Sequence, residues 1–173
     1  MPDKARGSAT VAQIFGEITW LLSVSARHQD IALRDLNRFV MAPILLKQFH
    51  IFWDGGRPIG AAFWALLDDT NEARLLASLE QPGETARVEA EAWNSGERLW
   101  LIDIVAPFAT SENRHAELIM ADLVAGPLRG RQFKMIGLDG EQERPSIISF
   151  GAEVGDELVA YTKERLVLAG GYQ

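Results

Sequence analysis

Leu99-Trp100-Leu101-Ile102-Asp103-Ile104-Val105, closed by Ala106-Pro107, is the stretch on which the fold turns. It is a dense apolar run of strand length with an aromatic residue in it, and it reads as a central strand. Pro107 has no N–H for a ladder and ends it. Toward the C-terminus, Glu112 to Val124 carries helical apolar spacing. Thr110 or Ser111 caps its start and Gly126-Pro127 stops it. Gln132 to Leu138 is the next strand, and Ile147 to Phe150 and Leu158 to Leu168 add further strand candidates. Toward the N-terminus, residues 68–98 are acidic and lack apolar periodicity. With Pro82-Gly83 and Ser95-Gly96 they read as loops around one or two short helices. Before them, Lys47 to Trp53 and Pro58 to Leu67 flank Asp54-Gly55-Gly56-Arg57, a strong hairpin signal. Val11 to Val24 reads as an amphipathic helix capped by Thr10, its apolar face running Val11, Ile14, Phe15, Ile18, Leu21, Leu22. A second helix is expected from Asp30 to Met41, with Pro43 marking its end or a kink.

The resulting order is two helices, a hairpin, a loop region, a central strand, a helix, then more strands. That is an α+β or mixed-sheet α/β layer. Residues 1–9 read as a flexible leader and residues 10–173 as one domain. The acetyltransferase fold of the GNAT type has the same element order. Order alone licenses no activity.

Bulk properties narrow the function. The 173 residues are 47% hydrophobic, and mean hydropathy is close to zero, an ordinary globular balance. There is no cysteine, which removes disulfides, thiolate metal sites and a cysteine nucleophile. His28, His50 and His115 show no metal-ligand spacing, so no metal is expected. A net charge of −7 argues against nucleic-acid binding through counterion release. No run reaches 18 uninterrupted apolar residues, so no membrane span is expected, and no signal peptide is read at the N-terminus. The expected location is the cytoplasm. Two basic clusters stand out against the acidic background: Arg129, Arg131 and Lys134 with no acid among them, and Arg27, Arg34 and Arg38 around Asp30 and Asp35. They read either as solvated surface or as landing sites for an acidic partner.

Asp103 is the most anomalous residue. A carboxylate among apolar side chains costs several kcal/mol unless a partner compensates. By simple strand alternation it shares a face with Leu101 and Val105. It is either a functional carboxylate or one open to water or capping a nearby backbone group. His28, in the polar turn Ser25-Ala26-Arg27-His28-Gln29-Asp30, is the natural general base near neutral pH, or else a solvated turn histidine. His50 and His115 read as structural. No G-x-x-x-x-G-K-[ST], G-x-G-x-x-G or H-E-x-x-H motif is present. The strand–helix joint Ala106-Pro107-Phe108-Ala109-Thr110-Ser111-Glu112-Asn113 has no glycine to cradle a pyrophosphate, and it carries a carboxylate. An acyltransferase using free CoA is therefore disfavoured. The aromatic residues read mainly as core, with a lining for an acyl chain as the alternative.

Phe15-Gly16-Glu17-Ile18-Thr19-Trp20-Leu21-Leu22 followed by Ser25-Ala26-Arg27-His28 resembles the opening of the HlyC-like toxin-activating acyltransferases, haemolysin-activating proteins encoded beside RTX toxins. Trp93-Asn94-Ser95-Gly96-Glu97-Arg98-Leu99-Trp100-Leu101-Ile102-Asp103-Ile104-Val105-Ala106-Pro107-Phe108 is similar to a second, longer motif of that family. The resemblance covers residues 14–152. It implies a GNAT-like fold and transfer of a fatty-acyl group from acyl carrier protein to internal lysines of an RTX protoxin, without a tightly bound cofactor. The family's catalytic His falls on His28, its catalytic Asp on Asp103, and a supporting serine on Ser25. The family's asparagine before the proline falls on Val40, with Asn37 one turn earlier. The resemblance leaves a homodimer open, and it leaves both direct transfer and an acyl-enzyme route open. On this reading the basic clusters Arg129, Arg131, Lys134 and Arg27, Arg34, Arg38 dock the acidic donor. The competing readings are a CoA-dependent acetyltransferase of a small molecule and a non-catalytic binding module on the same fold.

Overall fold

The computed structural model describes residues 9–79, 88–139 and 144–157. Five strands form one mixed sheet in the order β1-β2-β3-β4-β5, so Arg98–Val105 (β3) is central, as its apolar run implies. Phe49–Asp54 (β1) and Arg57–Leu67 (β2) form the expected hairpin. Its turn is closed by Gly55 at φ +58, a backbone region that favours glycine. Phe133–Asp139 (β4) and Arg144–Phe150 (β5) complete the sheet. All pairings are antiparallel except β3 with β4, which is parallel. That pair is short: only Trp100 with Lys134 and Leu101 with Met135 are in register. The remaining residues of β3 and β4 do not pair with each other.

Each face of the sheet carries its own core. On one lie Val11–Ser23 (α1) and Ala42–Leu46 (α2), with Ile18, Leu21, Leu22, Val40 and Ile44 packed with Phe63, Trp100, Ile102 and Val105. On the other lies His115–Ala125 (α4), with Ile119, Leu123 and Val124 against Ala62, Trp64, Leu99 and Leu101. Gly60 sets the spacing of this second layer. A Cβ there would lie 2.6 Å from Ile119 Cδ1 and 2.8 Å from the Val105 carbonyl. Asp69–Ser78 (α3) follows β2, with Asp68 Oδ1 accepting the Asn71 N–H at its start. Thr10 caps α1 as expected, accepting from the Gln13 N–H at 3.2 Å.

Two helix expectations need correction. The second helix does not run from Asp30 to Met41. The chain makes a 3-10 turn at Leu33–Asp35, a π turn at Asn37–Met41, and then α2. Pro43 does not end this segment but lies in the first turn of α2, where its missing N–H costs nothing. α4 starts at His115 rather than Glu112, because Thr110 and Asn113 lock the preceding turn: Asn113 Oδ1 accepts from the Thr110 N–H, and Thr110 Oγ1 accepts from the Asn113 N–H. The strand expected over Leu158 to Leu168 and the leader, apart from residue 9, lie outside the described residues.

Candidate active site

The site begins where α1 ends. The turn after it satisfies its own backbone, with the His28 and Gln29 N–H groups both donating to the Ser25 carbonyl at 2.9 Å. This tight turn puts Ser25 and His28, three residues apart, on one side, and Ser25 Oγ lies 2.7 Å from His28 Nδ1. His28 Nε2 is 2.7 Å from Asp103 Oδ2, across 75 residues of chain. All three side chains are buried: Ser25 is 6% exposed, His28 3% and Asp103 5%.

Asp103 reaches His28 because β3 is irregular. In the β2–β3 ladder Phe63 pairs with Asp103 but Trp64 pairs with Leu101, so Ile102 is an extra residue, a β-bulge. Before the bulge, Leu99 and Leu101 face α4 while Trp100 and Ile102 face α1. After it, Ile104 joins the α4 core and Val105 the α1 core. Ile102 and Asp103 therefore both point to the α1 side. Simple alternation placed Asp103 correctly with Val105 and wrongly with Leu101. The bulge re-aims the carboxylate, a recurrent use of bulges near active sites. Asp103 Oδ1 accepts from the Ile104 N–H at 2.8 Å and from Arg27 at 3.2 Å. Both carboxylate oxygens are thus held.

The arrangement fixes how protons can move. A carboxylate only accepts, so the Asp103 contact places the ring hydrogen of a neutral imidazole on Nε2. Nδ1 is then the free lone pair and takes the Ser25 hydroxyl as its donor. Ser25, His28 and Asp103 thus form one continuous buried hydrogen-bonded relay. Phe39, from the π turn, stacks beside the imidazole at 6.4 Å between ring centroids and packs in turn on Phe63. From the sequence Phe39 reads only as an apolar position of the expected second helix. Its π-turn setting, which has no sequence signature, was the missing signal.

His28 and Phe39 line a cleft of about 310 Å³ together with Arg27, Arg34 and Arg38. Arg27 also belongs to the relay through Asp103, a role its charge alone did not reveal. Arg38 is held by Asp35 at 3.2 Å and Glu89 at 3.4 Å. The other basic cluster is not brought to the relay. Arg129 pairs with Asp156, and Lys134 pairs with Glu72 at 2.9 Å, so acids distant in sequence cover two of its three charges. Arg131 is exposed. Asn37 is exposed and its side chain joins no hydrogen bond among the described residues. His50 rests edge-on against Phe52; burial lowers its pKa, and the Asp122 charge opposes that. Among the described residues no group of three or more His, Cys, Asp or Glu could hold a metal, and no helix is long and apolar enough to cross a membrane.

Comparison with known proteins adds an independent view. The family model described as the RTX toxin acyltransferase family, HlyC, matches residues 8–149. The protein-lysine palmitoyltransferase CyaC of Bordetella bronchiseptica is 35% identical over 108 residues, 62% of this chain and 55% of that protein. The RTX-II toxin-activating lysine-acyltransferase ApxIIC of Actinobacillus pleuropneumoniae is 33% identical over 98 residues, 57% of this chain and 58% of that protein. A leukotoxin-activating lysine-acyltransferase, LktC, of a Pasteurella haemolytica-like species is 30% identical over 119 residues, 69% of this chain and 66% of that protein. The matched stretch spans little more than half the length of the first two of these curated relatives.

Proposed function

From the premise that this chain belongs to the RTX toxin acyltransferase family, we propose that it transfers a fatty-acyl group from acyl carrier protein to lysine side chains of an RTX-type protoxin, in the cytoplasm and on a GNAT-like frame. The observation that carries this reading is the buried relay, with both imidazole nitrogens of His28 engaged at 2.7 Å by Ser25 and Asp103.

A lysine amine is mostly protonated at neutral pH and attacks a carbonyl only as the free base. In the proposed reaction the amine nitrogen attacks the thioester carbonyl, the C–S bond breaks, and the products are an amide and a thiol. The amine proton passes to His28 Nδ1, directly or through the Ser25 hydroxyl, and the imidazolium returns it to the leaving sulfur. Asp103, held by Arg27 and the Ile104 N–H, keeps the ring oriented and stabilises its charged form. His28→Ala tests the assignment in a reconstituted reaction with acyl-loaded carrier protein and protoxin. A folded variant with near-normal turnover would remove His28 from the mechanism.

The donor reading draws support from two features. At the start of α4, the His115 N–H is taken by Asn113 Oδ1, and the turn before it is closed by the Thr110–Asn113 pair. The first helix donor that a CoA pyrophosphate would use is thus occupied. Beyond Leu101 and Met135, β3 and β4 stop pairing, which leaves backbone edges able to receive the extended, amide-bearing arm of a carrier protein. The position of Ser25 on the reactive side of His28 favours a second route, through an acyl-Ser25 intermediate. Mass spectrometry of enzyme quenched with donor alone separates the two: an acyl adduct on Ser25 supports the second route, and its absence supports direct transfer.

A further inference from the structure

We propose that Trp93 is a positioning residue for the relay: its indole N–H holds the π turn Asn37–Met41 in the shape that sets Phe39 against the face of the His28 imidazole. The inference rests on the acyltransferase reading above. Two hydrogen bonds hold the imidazole by opposite edges, at Nδ1 and Nε2. Neither stops the ring from tilting about the line that joins them. The Phe39 ring does. It stacks on the imidazole with 30° between the planes, and it is backed by Phe63, the ladder partner of Asp103. The orientation of His28 is therefore only as good as the placement of Phe39.

The π turn does not hold that placement by its own hydrogen bonds. The Ala42 N–H closes the turn onto the Asn37 carbonyl. The next carbonyl in the same register is that of Arg38, and its donor would be the N–H of residue 43, which is proline. The missing N–H of Pro43 costs α2 nothing, but it leaves the Arg38 carbonyl without that donor. An unpaired carbonyl in a core is unfavourable. The Trp93 indole fills the gap: its Nε1–H donates to the Arg38 carbonyl at 3.0 Å, across a separation of 55 residues. Indole is a donor only, which suits an orphaned carbonyl.

Trp93 is itself firmly placed. Its side chain is fully buried in the α1-side core. Its carbonyl accepts from the Leu66 N–H at 2.8 Å, and the Ser95 and Gly96 N–H groups donate to the Leu66 carbonyl at 2.8 and 3.0 Å. Ser95 Oγ accepts from the Asp68 N–H at 3.1 Å. Trp93-Asn94-Ser95-Gly96 is thus fastened to the end of β2, and the indole reaches from that fixed point to the π turn. The line of contacts runs from β2 through Trp93, the Arg38 carbonyl and Phe39 to His28. Trp93 acts on the relay through that line.

The test is Trp93→Phe, which removes the N–H and keeps an aromatic ring in the core. Its first readout needs no substrate. In NMR spectra of protein carrying isotope-labelled histidine, the His28 ring peaks, identified by their loss in His28→Ala, should move, while those of His50 on the other face of the sheet stay in place. The second readout is kinetic, with acyl carrier protein loaded in turn with octanoyl to palmitoyl chains and an RTX protoxin as acceptor. Turnover should fall about tenfold with donor KM within about twofold, because a mis-set base is felt in the transition state and not in donor binding. The third separates the lost N–H from the lost ring area. Adding Pro43→Ala to Trp93→Phe supplies a backbone N–H in register with the Arg38 carbonyl, and it should return the His28 peaks and most of the lost turnover. Unmoved His28 peaks or parent-like turnover in folded Trp93→Phe, or a double variant no better than the single one, would overturn the proposal. If Trp93→Phe folds only with Pro43→Ala added, the N–H is what Trp93 supplies, and the proposal stands. If neither variant folds, Trp93 is a core residue and the proposal falls. If the parent transfers no chain at all, the transferase reading fails, and the NMR readouts alone decide whether Trp93 sets the imidazole.

Discussion

Two carboxylates sit against the same strand in closely matched settings. Asp103 meets the imidazole N–H of His28 at 2.7 Å and the Arg27 guanidinium at 3.2 Å. Glu72, from α3, accepts the indole N–H of Trp100 at 2.8 Å and the ammonium of Lys134 at 2.9 Å, with Arg98 at 3.2 Å on its other oxygen. Each thus has an aromatic N–H and a cation, and Trp100 and Asp103 are three residues apart on the α1 side of β3. The difference lies in the ring. Imidazole has a second nitrogen that takes a proton near neutral pH, whereas indole is a donor only. One carboxylate can therefore serve a proton relay. The other clasps α3 and β4 to the central strand.

The largest expected effect tests the first half of that contrast. His28→Ala should lower acyl transfer at least about 100-fold, some 2.7 kcal/mol in the barrier, with circular dichroism showing a folded protein and a melting point lowered because the buried Asp103 loses a partner. Glu72→Ala should do the opposite. It should leave transfer at 25 °C within about twofold and lower stability by about 1–3 kcal/mol in urea unfolding, because it strands a buried indole donor and takes the carboxylate from Lys134, while Arg98 keeps Asp69. Burial pushes the Glu72 pKa up, but the hydrogen bonds from Lys134 and Trp100 and the charges of Lys134 and Arg98 outweigh it and hold the pKa below its ordinary 4.5. A carboxylate with a depressed folded pKa stabilises fully above its unfolded value and loses that contribution as pH falls through the folded one. The stability gap between parent and Glu72→Ala should be widest near pH 7 and should narrow below pH 4.5. If the gap were flat with pH, the clasp would owe nothing to charge.

Smaller effects sharpen the comparison. The Arg27 side chain is 65% exposed, so its bond to Asp103 is worth at most about 1 kcal/mol. Arg27→Gln should reduce kcat by no more than about fivefold, measured at saturating donor. A drop as large as that of His28→Ala would make Arg27 part of the chemistry rather than of the positioning. Reversing Arg129 and Arg131 to Glu is expected to raise donor KM about two- to threefold at low salt and to leave kcat alone, since rim charges act on association. The effect should vanish near 1 M salt, where the screening length is about 3 Å. An unchanged KM at low salt would place donor docking elsewhere, with the Arg34 side of the cleft next in line.

The sequence made the relay legible and hid what aims it. Asp103 and His28 stand out because a lone carboxylate and a polar turn interrupt apolar patterning, Ser25 enters only through the family resemblance, and the hairpin announced itself through Asp54-Gly55-Gly56. The β3 bulge left no trace: Ile102 is an ordinary strand residue, and only the pairing of Phe63 and Trp64 across the ladder shows it to be extra. The segment from Asp30 to Met41 has helical apolar spacing, yet the chain tightens to a 3-10 turn and then widens to a π turn, as tertiary packing overrides local pattern. The basic run from Arg129 to Lys134 looked unopposed because Asp156 and Glu72 are distant in sequence.

The 75-residue separation of His28 and Asp103 also governs when the site can exist. Closing a loop of that length costs about 4 kcal/mol of chain entropy. A single hydrogen-bonded pair does not offset it; the β2–β3 ladder and the cores on both faces must form first. During synthesis the N-terminal turn leaves the ribosome long before the strand that carries its carboxylate. The nascent chain holds a serine and a histidine with nothing to orient them. On the proposed function, the site is therefore complete only once the two cores and the β2–β3 ladder have formed.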